Sequence, residues 1–306
     1  MSNVQMQSSL AESSPVQGSV SVVIPTFRRV KEVVEAVTSV LAQGPVLLEV
    51  LILDDSPEGS AERALTALGD PRVRYVKRAV PTGGNPAIVR NEGLSLARGR
   101  YVHFLDDDDV LETGALADTV AALDRTGAGV AFGIIVPFGD DPTALSHERT
   151  YFAEGLSRLR SFRTRVGLVT TMLFDSTPLV NSAFTVRRDT AHAVGGYSPT
   201  VRIVEDVDFY LRAIRRSGFV FVQRPLVGYR TGTPSIMHSL QDLSVLRGSY
   251  NEIYANYRRD FGRVEFNALR IYGMLLRLVR RASRKARLGD SATLLHAGMV
   301  LWAVAG

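Results

Sequence analysis

The sequence predicts an α/β fold: a mostly parallel central sheet flanked by helices, with a helical C-terminal extension. Three observations carry this expectation. Short β-branched runs alternate with amphipathic segments between residues 20 and 105. Those runs end in polar or acidic residues, always at their C-terminal ends. Beyond residue 237 only helical periodicity remains. Strand–helix–strand alternation of this kind implies parallel strands joined by right-handed crossovers.

The elements follow in order. Residues 20–25 (VSVVIP) read as a buried strand, and residues 30–42 place Val33, Val34, Val37, Val40 and Leu41 at helical spacing. A second strand at 48–53 (LEVLIL) stops at Asp54-Asp55-Ser56-Pro57; residues 60–69 read as a helix. Strand 73–76, helix 87–97 and strand 101–105 complete the first half. A helix is expected at 112–124 and a strand near 129–136, then an irregular stretch over 137–180. A strand at 182–186, a turn at Gly195-Gly196, a helix at 207–216 and a strand at 219–223 precede the helical remainder. The organisation expected is a disordered tail over 1–19, a globular domain over 20–235 whose halves divide near residue 110, and an extension over 236–306.

Composition narrows the chemistry. With 45% hydrophobic residues among 306, the chain can bury a large core. Cysteine is absent, which removes disulfides, thiolate nucleophiles and Cys-ligated zinc, and fits a reducing compartment. The net charge is +5, and only Lys31, Lys77 and Lys285 among the 36 basic residues are not Arg. Arg suits bidentate contact with phosphate. The Ser- and Gln-rich first residues lack the basic start and apolar core of a signal peptide. No stretch reaches the ~20 apolar residues of a spanning helix.

Four consecutive carboxylates, Asp106 to Asp109, follow an apolar strand. On an extended chain Asp106 and Asp108 point the same way, and two hard oxygens there suit Mg²⁺ or Mn²⁺. Two carboxylates do not enclose such an ion, which takes further ligands from water and phosphates. The alternation turns Asp107 to the other side, although it stays among the donor-binding candidates, and Asp109 is expected to cap the next helix. Asp54 and Asp55 end a neighbouring strand, where a carboxylate can accept bonds from a ribose hydroxyl or a base N–H. Gly83-Gly84-Asn85-Pro86 leads into a helix carrying Arg90, an arrangement suited to an anion or to an ordinary turn. Glu205-Asp206 opens another helix, as a cap or as a general base.

In order, these segments resemble the GT-A glycosyltransferases, specifically family 2. Residues 22–27 (VVIPTF) look like that family's opening strand and 53–56 (LDDS) like its nucleoside-binding strand end. Residues 84–93 (GNPAIVRNEG) resemble its G-x(n)-A-R-N-x-G segment, with Val89 where Ala is usual. Residues 104–109 (FLDDDD) resemble its F-L-D-x-D-D, the DXD motif, and Gly195-Gly-Tyr197 followed by 205–208 (EDVD) its G-G-[FY]…E-D-x-[DE]. The resemblance covers residues 20–230 and implies a Rossmann-like sheet and a metal-dependent, inverting transfer of sugar from a nucleotide-diphosphate sugar, a UDP-sugar first of all. Implied donor-binding positions are Pro25, Thr26, Arg28, Asp54, Asp55, Gly84, Arg90, Asp106 and Asp107. Asp108 would hold Mn²⁺ or Mg²⁺, with Asp106 and His238 as further ligand candidates. Asp206, with Glu205 beside it, would deprotonate the acceptor hydroxyl of a sugar or lipid-linked acceptor.

One position departs from the pattern: Tyr229-Arg-Thr-Gly232 puts Gly where the family often has His. Residues 106–110 also fit the D-x-D-x-[TV] motif of haloacid-dehalogenase-type phosphatases, with Asp106 as nucleophile. That class carries the motif on its first strand and needs a downstream cation, whereas here it follows the fourth strand. A non-catalytic nucleotide-sugar-binding protein is the third alternative; it would lack an acid at the base or metal position. Nucleic acid is not expected as a partner. In the extension, Tyr272, Leu275, Leu276 and Val279 share a helical face beside an acid-free basic run, Arg277 to Arg287. Residues 269–306 are therefore expected to reach an anionic membrane surface, with the protein cytoplasmic and peripheral.

Overall fold

The computed structural model describes residues 18–161, 164–175, 179–232 and 243–287. The first half follows the expected alternation: β1 (Val20–Thr26), α1 (Val30–Leu41), β2 (Leu47–Asp54), α2 (Glu62–Thr66), β3 (Val73–Lys77), α3 (Pro86–Leu96) and β4 (Tyr101–Phe104). Then come β5 (Val110–Leu111), α4 (Ala115–Thr126), β6 (Val130–Phe138), α5 (Pro142–Ser161) and α6 (Arg165–Phe174). The chain continues with β7 (Phe184–Arg187), α7 (Arg188–Ala193), α8 (Glu205–Ser217), β8 (Phe219–Arg230), α9 (Leu243–Phe261) and α10 (Arg263–Arg287).

One sheet carries both halves, in the order β3-β2-β1-β4-β7-β6-β8-β5. The pairs β1–β2, β1–β4, β2–β3 and β6–β8 are parallel; β4–β7, β6–β7 and β5–β8 are antiparallel. The central parallel strands β1 and β2 are buried on both faces, which is why they read as continuous apolar runs: Val22, Val23, Ile24, Val50, Leu51 and Ile52 are wholly inaccessible. Pro137 is tolerated in β6 because the β7 pairing stops at Phe132 and leaves that edge open.

Two expectations are corrected. The stretch over 137–180 is not irregular: it holds the end of β6 and helices α5 and α6. Among the side chains described over 142–156, α5 buries only Phe152 and Gly155, so its apolar period is faint there. Asp109 caps nothing, since α4 begins at Ala115 behind Gly114 and Asp109 instead accepts from the Arg230 amide (3.0 Å). The expectations for residues 1–17, His238 and residues 288–306 lie outside the described residues. Among those described, no helix is long and apolar enough to cross a membrane.

Candidate active site

The C-terminal ends of β1, β2 and β4 meet the start of α8 around a cleft of about 1050 Å³. Its base is the acidic run. The chain leaves β4 at Phe104 and turns, with the Asp109 amide bonded to the Asp106 carbonyl (3.2 Å). Because this is a turn, Asp106, Asp107 and Asp108 all line the cleft. Asp107 therefore does not point away: its carboxylate accepts from Thr26 Oγ1 (2.8 Å) and Arg29 (3.1 Å).

Each carboxylate is held differently. Asp106 accepts from Arg90 Nη2 (2.7 Å) and Asn181 Nδ2 (3.1 Å). Asp108 pairs with Arg29 Nη1 at 2.5 Å. Burial pushes Asp107 up to about 6 against the pull of Arg29, with Asp108 adding to the rise. Burial also raises Asp109 well above the usual carboxylate range, reinforced by Asp108 and Asp106.

The motifs of the sequence interlock in space. Arg90 donates through its other arm to Glu205, so one buried guanidinium joins β4 to α8. Asn91 accepts from the Tyr197 amide and donates to its carbonyl, both at 2.8 Å. Gly196, at φ 70°, lies so close to Asn91 that a Cβ would sit 2.4 Å from its side-chain oxygen. Tyr197 OH donates to Asn181 (2.8 Å). Asp208 is fully buried, paired with Arg212, which also donates to the Val194 and Gly196 carbonyls. Helix α8 is thus fastened to the Gly-Gly turn by Arg212, which Asp208 holds in place, while Asp206 lines the cleft.

Asp206 has the marks of a proton acceptor. Burial pushes it up to about 7; Glu205 and Asp106 raise it further and Arg90 opposes them. The residue before α8, Val204, adopts a left-handed φ of 55°, a costly conformation for a β-branched side chain. That turn swings the first α8 residues toward the cleft.

On the other side, Asp55 faces the cleft beside Pro25, Thr26 and Gly84. It accepts from Arg78 (2.7 Å) and from the amide and hydroxyl of Thr82 (2.9 and 2.6 Å). Asp54 does not reach the cleft. Its oxygens are spent on the Ser56 amide (2.9 Å) and hydroxyl (2.6 Å), the Ala61 amide (3.1 Å) and Tyr75 OH (2.8 Å), and it is inaccessible. Arg28 also falls outside: it turns outward at φ 58° to pair with Glu58, and Arg29 takes the place in the lining. Asn85 caps α3 by accepting from the Ile88 amide (3.4 Å), with Pro86 at the first helical position.

Sequence reasoning missed Arg29, Asn181 and Arg230, which donates to the Asp108 carbonyl (2.8 Å). It also missed an aromatic wall of Tyr151, Phe152, Phe174, Tyr229, Tyr250 and Tyr254. Only Tyr229-Arg230 carried a signal, being part of a quoted motif. His103 of β4 is buried against Thr185 Oγ1 (3.0 Å), and burial lowers its pKa to about 4.

Carboxylate oxygens are the right donors for a hard cation. Among the described residues no group of three or more His, Cys, Asp or Glu side chains could hold a metal ion by itself. The residues therefore fit a cation that shares its ligands with a bound diphosphate, rather than one enclosed by protein.

The sheet, its switch in strand direction at β7 and the strand-end acids are those of the GT-A glycosyltransferase fold. TarS of S. aureus, solved in complex with UDP-GlcNAc, superposes with a TM-score of 0.56 at 18% identity, over 79% of this chain and 67% of that one. GalNAc-T7, solved with UDP, GalNAc and Mn²⁺, gives 0.52 at 16% identity, over 70% of this chain and 44% of that one. The chain belongs to glycosyl transferase family 2: residues 21–188, more than half of it, match that family. The succinoglycan biosynthesis protein ExoO of Rhizobium meliloti is 33% identical over 112 residues, or 37% of this chain and 32% of ExoO. The chain spans no more than about a third of the first curated relatives it matches.

Proposed function

We propose that the protein transfers a sugar from a nucleotide-diphosphate sugar to an acceptor hydroxyl with inversion at the anomeric carbon. The observation that carries this reading is the Asp106–Arg90–Glu205 chain, which sets the raised carboxylate of Asp206 in the same cleft as Asp106 and Asp108. Asp55 would accept from the base or ribose, beside Pro25, Thr26 and Gly84. Asp106 and Asp107 would border the ribose and diphosphate, with Arg29 and Arg90 as neighbouring positive charge. Asp108, with Asp106, would hold Mn²⁺ or Mg²⁺. When bound, that ion would neutralise charge developing on the leaving diphosphate.

Asp206 would take the proton of the acceptor hydroxyl. The acceptor oxygen then bonds to the anomeric carbon as the bond to the diphosphate oxygen breaks, and the nucleoside diphosphate leaves. One displacement inverts the configuration. UDP in both solved neighbours supports a UDP-sugar donor, and Mn²⁺ with one of them supports a divalent cation. The name of ExoO supports polysaccharide or glycoconjugate synthesis, and the absence of cysteine supports a cytoplasmic site of action.

The test is Asp206→Asn. Calorimetry with UDP-sugars and Mn²⁺ should give donor affinity like that of the wild type, while transfer falls by at least about a hundredfold. Unchanged turnover would remove Asp206 as base. A wild type that binds donor but transfers to no acceptor would favour the non-catalytic binding protein. Family membership leaves the phosphatase alternative without support.

A further inference from the structure

Helix α10 buries one face and leaves another bare. Phe266 and Leu269 lie in the core, and Gly273 lets the helix approach α6, where a Cβ would meet Thr170 at 3.1 Å. Arg277 closes this contact by donating to the Phe174 carbonyl (2.9 Å). Tyr272, Leu275, Leu276 and Val279, the face singled out by periodicity, are half-buried. The exposed apolar residues are others: Val264 at 85%, Ile271 at 60%, Met274 at 52% and Leu278 at 58%. Positions 264, 271 and 278 recur every seven residues with 274 between them, so they form one stripe about 21 Å long.

Charge selects the occupant. Arg263 and Arg270 are exposed on the same helix. Its one acid, Glu265, is already engaged by Arg215 through two bonds of 2.6 Å and by Tyr257. Further along, the helix carries Arg280, Arg281, Arg284, Lys285 and Arg287 in sequence. A second copy pairing through this stripe, in either direction, would set basic residues against basic residues with no free acid on α10 to answer them. An anionic bilayer meets both the apolar and the basic parts.

We propose that the Val264–Ile271–Met274–Leu278 stripe is an interfacial face that docks the protein on an anionic lipid surface. Docking also orients the cleft. Phe174 and Tyr254 line it, and both pack against Phe266 of α10 with ring centres 5.4 Å apart. The aromatic end of the cleft is thereby held next to the helix that meets the bilayer, where an acceptor with an apolar tail would lie. This last step alone rests on the proposed reaction.

The test is flotation of the full chain with phosphatidylcholine vesicles, with and without about a quarter phosphatidylglycerol. The wild type should float with the anionic vesicles and less in high salt. The triple variant Ile271→Ser/Met274→Ser/Leu278→Ser should bind at least about tenfold more weakly. Val80→Ser, at an exposed apolar position elsewhere, should bind like the wild type. Arg270→Glu alone should weaken binding to anionic vesicles. UDP binding in the presence of Mn²⁺, measured in parallel, should be the same in wild type and triple variant, which separates a failed docking face from a failed donor site. The proposal is overturned if the wild type does not float, if the triple variant floats equally well, or if the stripe instead mediates self-association that the triple variant abolishes on a sizing column.

Discussion

Arg90 donates to Glu205 across 115 positions of sequence, and its other arm holds Asp106 at 2.7 Å. The guanidinium is almost wholly buried, and its two carboxylates hold it more firmly protonated than a free arginine, against the cost of burial. A single side chain thus ties the acidic run after β4 to the helix that carries Asp206.

Replacing Arg90 by Met should leave two carboxylates without their cation. Removing one partner of a buried pair costs about 3–5 kcal/mol, so the melting temperature should fall clearly. Arg90→Lys keeps the charge but lacks the planar fork that reaches both partners. It should recover part of the stability while kcat/KM stays well below that of the wild type. Thermal unfolding and steady-state kinetics on both variants would check this; full activity in Arg90→Lys would mean that the bridge does not matter for transfer.

The pH profile should identify Asp206. A base works only when deprotonated, and burial holds this carboxylate up to about 7. Log kcat/KM should therefore rise with pH and level off above about 7, whereas an ordinary exposed carboxylate would give a flat profile from about pH 5 upward. Glu205→Gln removes the charge that raises Asp206 most after burial, so the midpoint should move to lower pH. A midpoint that stays put would show that Glu205 does not act on Asp206 electrostatically.

How much of this was legible in the sequence depends on the range of the interaction. The first four strands and three helices follow from local apolar period, and the acids after β2 and β4 lie at the sheet edge that borders the cleft. Side-chain direction did not follow. Asp54 and Asp55 are neighbours of one type, yet a loop closing back on Tyr75 consumes the first and leaves the second in the cleft. Arg28 and Arg29 part company because a left-handed φ at Arg28 turns one outward. An extended acidic run would turn Asp107 outward, whereas the turn at Asp106–Asp109 brings it into the cleft. Asn181 and the tyrosines of α9 reach the cleft only through tertiary packing, which no local pattern encodes.

Asp108→Asn tests the cation site. Donor binding that requires Mn²⁺ should weaken at least about tenfold in this variant, and EDTA should weaken it in the wild type but barely further in the variant. Because Asp108 also pairs with Arg29, thermal unfolding should be followed in the same samples. If donor affinity in the wild type is indifferent to EDTA, the acidic run serves some other purpose than holding an ion.

Asp54 and Asp55 should separate stability from binding. Asp54→Ala leaves the Ser56 and Ala61 amides and Tyr75 OH without their acceptor inside the protein. Each buried group left unpaired costs about 1–3 kcal/mol, so the variant should unfold at markedly lower denaturant concentration. Asp55→Asn keeps most of the shape and an acceptor oxygen but loses the negative charge beside Arg78. It should lose less stability than Asp54→Ala, because Arg78 keeps Glu92 as a partner, and lose donor affinity by about tenfold or more. Urea unfolding and calorimetric titration with UDP on the two variants decide the matter: if Asp54→Ala lost binding without losing stability, the assignment of Asp54 to the loop rather than the ligand would be wrong.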